Sequence, residues 1–372
     1  LMTDSTKYFV TRPHLPLLDD FLPYLNEIWE SGQLTNGGPM HQQFEHMLGE
    51  YLGVEHLSLV ANGTIGLIVA LKALGISGEV ITTPYTFAAT THSLLWNGIK
   101  PVFVDIDPVT FNLDPEKIEA AITPDTSAIL PVHCYGAPCD VDRISSIAER
   151  HKLKVIYDAA HAFGVRSRDT DILGAGDLSV LSFHATKVFH TFEGGAIICR
   201  DAATKQHIDH LKNFGFTGET SIVDCGINGK MSEFNAAFGL LALKHIDAAI
   251  ARRLEIDALY RQLLGCIPGI RCPQLPENTQ SNGSYFPILV EAPFPLPRDE
   301  LYAHLKLQRI NGRRYFYPLA SNFPMYRDIP SADPANLPVA TSISNKVICL
   351  PIYPDLTDAD VRHIAKVIIE AC

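Results

Sequence analysis

The chain has 372 residues, 47% of them hydrophobic and 19% charged, a composition that excludes a disordered chain and a length that suits a large domain with a smaller appendage. Its formal net charge of -11 and the lack of any Lys/Arg cluster exclude a duplex nucleic acid as a natural partner, because phosphate contacts need a basic face. No stretch is apolar enough to cross a bilayer, and "LMTDSTKYFV" lacks the charged start and apolar run of a signal peptide, so no membrane contact and a cytoplasmic location are expected.

In chain order, short apolar runs at 57–61, 79–83, 101–106, 127–132, 154–160, 178–183 and 195–199 read as seven buried strands, rich in β-branched residues and apolar on both sides. Helical patterns fall between most of them, at 64–74, 114–121 and 141–151. That alternation predicts an α/β fold with right-handed crossovers and a mainly parallel seven-stranded sheet flanked by helices. After Cys199 the pattern turns helical, most clearly over 231–264, where Ile246, Ile250 and Leu254 recur at steps of four. A turn-rich segment at 265–284 reads as a linker. The remainder mixes strand-like and helix-like pieces and ends in an amphipathic helix from about Asp358, so the expected units are a large domain over 1–265 and a smaller C-terminal α+β domain over 266–372. The eight cysteines show no CxxC pair and read as reduced thiols. "HCYGAPC" (133–139) offers half a zinc site with no second half, so no metal is expected.

In an open parallel sheet the ligand lies beyond the carboxyl ends of the strands, and three features fall there. In "ANGTIGL" a strand gives way to a helix whose first N–H groups, at Gly63, Thr64 and Ile65, could seat a phosphate; a Gly-Thr turn also caps helices that bind nothing. The stretch matches neither GxGxxG nor the Walker loop, which counts against NAD or ATP in their usual modes. In "VIYDAAHAFG", Asp158 ends a buried strand, where a bare carboxylate needs a cationic partner or must serve as a helix cap. In "SFHATKVFHTFEGGA", Lys187 sits among Phe183, Val188 and Phe189, and desolvation of that kind can leave an amine neutral enough to attack a carbonyl; the plain alternative is a surface lysine in a loop. A phosphate seat, a buried carboxylate and a nucleophilic lysine together fit pyridoxal 5′-phosphate.

These pieces, with "SGQLTNGGP" (31–39), "PYTFAAT" (84–90), "KPVFVDIDPVTFNLDPEKIEAAI" (100–122), "GINGKMSEFNAAFGL" (226–240) and "RRYFYPL" (313–319), resemble the DegT-type sugar-nucleotide aminotransferases, a branch of the fold type I pyridoxal phosphate enzymes, over nearly the whole chain. The resemblance implies that Lys187 anchors the cofactor aldehyde and that Asp158 pairs with the ring nitrogen. It places Phe87 as the stacking aromatic, His161 near the phenolic oxygen, and Gly63, Thr64, Ile65 and Ser182 at the phosphate. It also implies a homodimer with shared sites, in which Asn228 reaches the partner's phosphate; Lys230 departs from the arginine common at its position. L-Glutamate would donate the amino group and leave as 2-oxoglutarate, and a nucleotide-linked keto sugar would accept it. His184, in "SFH", resembles the members acting on 4-keto-6-deoxy sugars such as dTDP-4-keto-6-deoxyglucose more than the 3-keto group, in which Tyr or Phe and then Pro follow "SF". His184, Arg313, Arg314, Tyr317 and Lys230 are the candidate substrate residues. A sugar dehydratase on this fold would carry histidine in place of Lys187, and a regulatory paralogue would be expected to lose Lys187, Asp158 or Phe87; all three are present.

Overall fold

Short strands that are apolar on both faces build the main sheet. The computed structural model describes residues 7–167 and 172–371; Cys372 and residues 1–6, which carry most of the N-terminal stretch read above, lie outside the described residues. Seven strands form one sheet: β1 (His56–Val60), β2 (Glu79–Thr82), β3 (Lys100–Phe103), β4 (Thr126–Leu130), β5 (Lys154–Asp158), β6 (Leu178–Ser182) and β7 (Gly195–Cys199). Their spatial order is β1-β7-β6-β5-β4-β2-β3, and all pairings are parallel except those of β7, which runs antiparallel to β1 and β6.

Alternate residues of each strand serve opposite layers. Ala196 and Ile198 of β7 pack with α1 (Leu18–Ser31), α2 (Pro39–Leu52) and α7 (Glu233–Leu243), whereas Ile197 and Cys199 pack with α3 (Gly63–Ala73), α4 (Ala88–Trp96) and α6 (Ala202–Leu211). Further along the sheet, Ile81, Ile129 and Val155 meet the apolar side of α5 (Val141–His151). Burial on both faces is what the two-sided apolar runs require.

The sequence pattern at 114–121 predicts a helix; the chain instead makes two short 3-10 turns, Pro115–Lys117 and Glu119–Ala121, with the Asp114 carboxylate accepting from the Glu116 N–H. The apolar pattern over 231–264 is two helices, α7 and α8 (Ile246–Leu264), bent by 63° at the break. Among the described residues no single helix is long and apolar enough to cross a membrane. The first half of α8 packs in the main core through Ile246, Ala249 and Ile250, and its second half packs in another through Ile256, Tyr260 and Leu264.

That second core belongs to a three-stranded antiparallel sheet of β8 (Ile270–Arg271), β9 (Phe286–Val290) and β10 (Val347–Leu350), backed by α9 (Arg298–Leu307) and α11 (Asp358–Ile369). Thr357 and Asp360 start α11 with a reciprocal capping box. The other face of this sheet, through Leu289, Val347 and Cys349, lies against Tyr85, Phe111 and Tyr135 from loops at the carboxyl edge of the main sheet. Asp105 fixes the two parts together by accepting N–H groups of Val339 and Ala340 at the start of α10 (Pro338–Ser344), at 3.0 and 2.8 Å.

A second cross-chain cap holds the helical layer. Glu233, buried in the first turn of α7, accepts the N–H groups of Met40 (2.8 Å) and His41 (3.0 Å) at the start of α2. These donors have no partner within their own helix, and the carboxylate also meets the positive end of the helix dipole. Glu233→Ala should therefore cost about 1–3 kcal/mol, the penalty of buried donors left unsatisfied, and Glu233→Gln distinctly less. Thermal unfolding of the two variants against the parent protein measures both effects.

Candidate active site

The carboxyl ends of β1, β5 and β6 open into a cavity of about 1300 Å³. Gly63, Thr64, Ile65, Phe87, Asp158, His161, Ser182, His184, Lys187 and Asn228 all line it, so the structure brings together every cofactor residue expected from the sequence and one of the substrate residues.

The seat at the start of α3 is shaped by close packing. Asn62 caps the helix, its side-chain oxygen accepting the Ile65 N–H at 2.9 Å, so the Ile65 donor is committed and those of Gly63 and Thr64 remain for a ligand. A Cβ on Gly63 would lie 2.8 Å from the Ser182 Cβ, closer than any real contact, which explains the glycine by approach rather than by turn geometry.

Asp158 terminates β5 and is buried. Its Oδ2 accepts from the Thr90 hydroxyl at 2.7 Å and its Oδ1 from the Ala160 N–H at 3.1 Å. Burial nonetheless pushes its carboxyl above the ordinary value, outweighing the Thr90 and Ala160 hydrogen bonds and the Lys187 charge. Lys187 lies in the turn after β6, its N–H bonded to the His184 carbonyl at 2.8 Å. Its side chain stays reachable from the cavity, yet protein surrounds it closely enough that burial pulls the amine from 10.5 down to about 8, against the opposing pull of Asp158. The two groups feel each other's charge without pairing directly: among the described residues no salt bridge joins them.

His161 is buried and held neutral, its imidazole pushed well down by burial and then by the Lys187 charge. The Tyr135 N–H donates to its Nδ1 at 3.2 Å, which leaves the ring proton on Nε2. Its ring is parallel to Phe316 at 6.1 Å and edge-on to Tyr285 at 5.0 Å. Phe87, the residue just before α4, is 59% exposed, an unusual setting for a large aromatic unless a flat ligand covers it. His184 Nδ1 meets the Thr186 hydroxyl at 2.8 Å, and its Nε2 lies 3.5 Å from Glu193, another cavity residue.

Four expected substrate residues do not line the cavity of their own chain. Lys230 donates to Asn213 at 2.7 Å and lies over the Phe214 ring. Arg313 is paired through its backbone with Cys349, and Arg314 binds Asp299 at 2.8 Å with its guanidinium over Tyr302 and Tyr317. In "RRYFYPL" the aromatic middle, Tyr315 and Phe316, faces the cavity instead of the charged ends. Asn228, assigned by the resemblance to the partner's site, lines its own. Thr90, in the first turn of α4 and four residues after Thr86, is a functional residue that the sequence does not single out. Among the described residues no group of three His, Cys, Asp or Glu is arranged to hold a metal, and His133 of "HCYGAPC" instead accepts the Cys139 N–H at 3.0 Å.

With this geometry in place, likeness to known proteins is informative. Residues 17–369 match the DegT/DnrJ/EryC1/StrS aminotransferase family. The chain is 56% identical over 362 residues to dTDP-4-amino-4,6-dideoxy-D-glucose transaminase of Shigella dysenteriae, covering 97% of this chain and 98% of that one. Among solved structures it resembles DesI in the presence of its TDP-sugar product, with a TM-score of 0.94, 36% identity and coverage of 99% of this chain and 93% of the other. It also resembles NtdA of Bacillus subtilis with bound cofactor PMP, with a TM-score of 0.87, 29% identity and coverage of 99% and 86%.

The low basicity of Lys187 is open to direct measurement. In protein freed of small molecules, labelling of Lys187 by an amine reagent should rise with pH through a midpoint near 8, well below an ordinary lysine. Asp158→Asn should lower the midpoint further, because the Asp158 charge favours the ammonium form. Peptide mass spectrometry across a pH series reads both; a midpoint near 10.5 would mean that burial does not govern the amine.

Proposed function

Because the chain belongs to the DegT/DnrJ/EryC1/StrS aminotransferase family, we propose that its cavity transfers an amino group from L-glutamate to dTDP-4-keto-6-deoxyglucose, with pyridoxal 5′-phosphate as cofactor. The observation that carries the reading is the pair of desolvated groups, Lys187 and Asp158, sharing one cavity without sharing a salt bridge. The 56% identity to a transaminase named for 4-amino-4,6-dideoxy-D-glucose supports the 4-keto sugar, as does the likeness to DesI with its TDP-sugar product.

The residues present fit the cofactor. A buried carboxyl raised by desolvation lacks positive charge, and a protonated ring nitrogen would supply it. The Gly63 and Thr64 N–H groups and the Ser182 hydroxyl would hold the phosphate, Phe87 would cover one ring face, and His161 would offer its Nε2 proton to the phenolic oxygen. Pyridoxal 5′-phosphate, when bound, supplies an electron-withdrawing ring that stabilises negative charge on the substrate carbon next to nitrogen.

The chain's own part is proton management and exclusion of water. Near pH 7 about one Lys187 amine in ten is neutral, against about three in ten thousand for an ordinary lysine, so its Nζ can anchor the cofactor aldehyde and later take a proton from the substrate carbon. Tyr285, Tyr315 and Phe316 wall the cavity from the side of the second sheet and limit water there. The reading includes a homodimer; Trp96 and Phe214 are large apolar side chains left exposed on the single chain and support it.

Purified protein supplied with pyridoxal 5′-phosphate should be yellow and should bleach on addition of L-glutamate. Mass spectrometry over a panel of 3-keto and 4-keto nucleotide sugars should find the amino product from dTDP-4-keto-6-deoxyglucose; absence of bleaching with every amino acid tried would refute transamination. Lys187→Ala should lower turnover by at least a factor of about 10²–10⁴, the share that a positioned acid–base group contributes, and a near-normal rate would displace Lys187 from its role.

A further inference from the structure

Asp158 is reached by a chain of hydroxyls that begins beside the aromatic platform. Thr86 immediately precedes Phe87, and its Oγ1 lies 2.7 Å from the Thr90 Oγ1, which lies 2.7 Å from Asp158 Oδ2. Both threonines are buried; Thr90 is fully enclosed, and Thr86 lies at the cavity wall. The direction of the chain follows from counting protons. An ionised carboxylate can only accept, so Thr90 must spend its single proton on Asp158, and Thr86 must donate to Thr90.

We propose that Thr90, oriented by Thr86, is the positioning residue that keeps Asp158 ionised and turned toward the cavity, and so sets how tightly the protonated ring nitrogen is held. The proposal rests on the cofactor reading above. A hydroxyl donating to a buried carboxylate favours the charged form, and Thr90 is the only side chain hydrogen-bonded to Asp158 among the described residues. Because Thr86 and Thr90 flank Phe87 at the start of α4, one helical turn fixes the ring-stacking position and the ring-nitrogen partner together. The methyl groups of the threonines cannot do this; the hydroxyls can.

The titratable groups around Asp158 are few. Lys187 faces it from the turn after β6, and Cys134 and Cys139 from the segment after β4; His161, from the loop after β5, lines the same cavity and senses the Lys187 charge. Burial holds both thiols protonated and the imidazole neutral, so Lys187 is the partner that changes charge with Asp158 near neutral pH.

The test compares Thr90→Val, which keeps shape and removes the hydroxyl, with Thr90→Ser, which keeps the hydroxyl. With pyridoxal 5′-phosphate as the probe, Thr90→Val should raise the dissociation constant by about tenfold or more, the usual loss for a hydrogen bond to a charged group, and the loss should deepen as pH falls. Thr90→Ser should stay within about threefold of the parent. In cofactor-free protein, Thr90→Val should shift the Lys187 labelling midpoint downward, because a less ionised Asp158 supports the ammonium less, and Thr90→Ser should restore it. Unchanged labelling and binding in a Thr90→Val protein with a native unfolding transition would overturn the proposal, as would equal defects in the serine variant. If the parent protein itself fails to bind pyridoxal 5′-phosphate, the functional reading falls, and the labelling comparison still decides the role of Thr90.

Discussion

The structure depends on keeping two groups of opposite charge in one desolvated cleft without letting them meet. Removing an ammonium or a carboxylate from water costs several kcal/mol per ion, and the ordinary remedy is a direct salt bridge. Here the remedy is withheld. Asp158 ends β5, and Lys187 lies in the turn after β6, the parallel neighbour in which Val180 pairs with Asp158. Adjacent parallel strands end at the same edge, which explains why both side chains reach the same cavity. Each charge is left partly unsatisfied, the amine weakly basic and the carboxyl weakly acidic, and a ligand with a carbonyl at one place and a protonated ring nitrogen at another relieves both.

A frame that bears this cost must be rigid, and its stiffest parts converge on the cavity. The second sheet does not simply follow the first; its inner face packs on Tyr85 and Tyr135, whose hydroxyls meet at 2.7 Å and both turn to the Tyr315 carbonyl. Tyr135 in turn lies parallel to Phe316, and Phe316 to His161. A stack of three rings thus links the C-terminal segment to His161 at the cavity wall, which fixes the orientation of that imidazole more firmly than the hydrogen bond from Tyr135 alone would.

Strands, the main helices and the cavity's central residues were legible in the sequence because each depends on local pattern. Two-sided apolar runs specify buried strands, and Asp158 and Lys187 stand out as charges placed where charges are costly. Errors arose where pattern is silent about direction. The run over 231–264 keeps an apolar period through Lys244 and His245, although the axis turns by 63° there. The acidic and apolar residues of 114–121 satisfy a helical template, but Pro115 and the Asp114 cap start only a 3-10 turn. Arg313 and Arg314 stand out as charges, yet charge does not tell where a side chain points, and Arg314 is taken up by Asp299 and the rings of Tyr302 and Tyr317. Thr90 was missed for the opposite reason, since a threonine in a helix carries no signal until its buried partner is known.

The glycines that close "SFHATKVFHTFEGGA" show how the sheet brings its parts within reach of one ligand. The anion seat follows β1 and Asp158 ends β5, with β7 and β6 between them, so a strand spacing of about 4.8 Å would leave them about 14 Å apart if each stayed above its own strand. They do not. β7 is antiparallel, so its first residue, Gly195, lies at the edge where its neighbours end, and a Cβ there would lie 3.0 Å from the Gly63 nitrogen and 2.7 Å from the Leu181 oxygen. With no side chain at 195, the start of α3 crosses over β7 until Gly63 touches Ser182 at the end of β6. The helix N-terminus is thereby brought from the outer strand to the strand that precedes Lys187, beside the one that carries Asp158. The reversed strand and its glycine are what let a phosphate seat, an amine and a carboxylate, drawn from three separate strands, lie within the span of one small molecule.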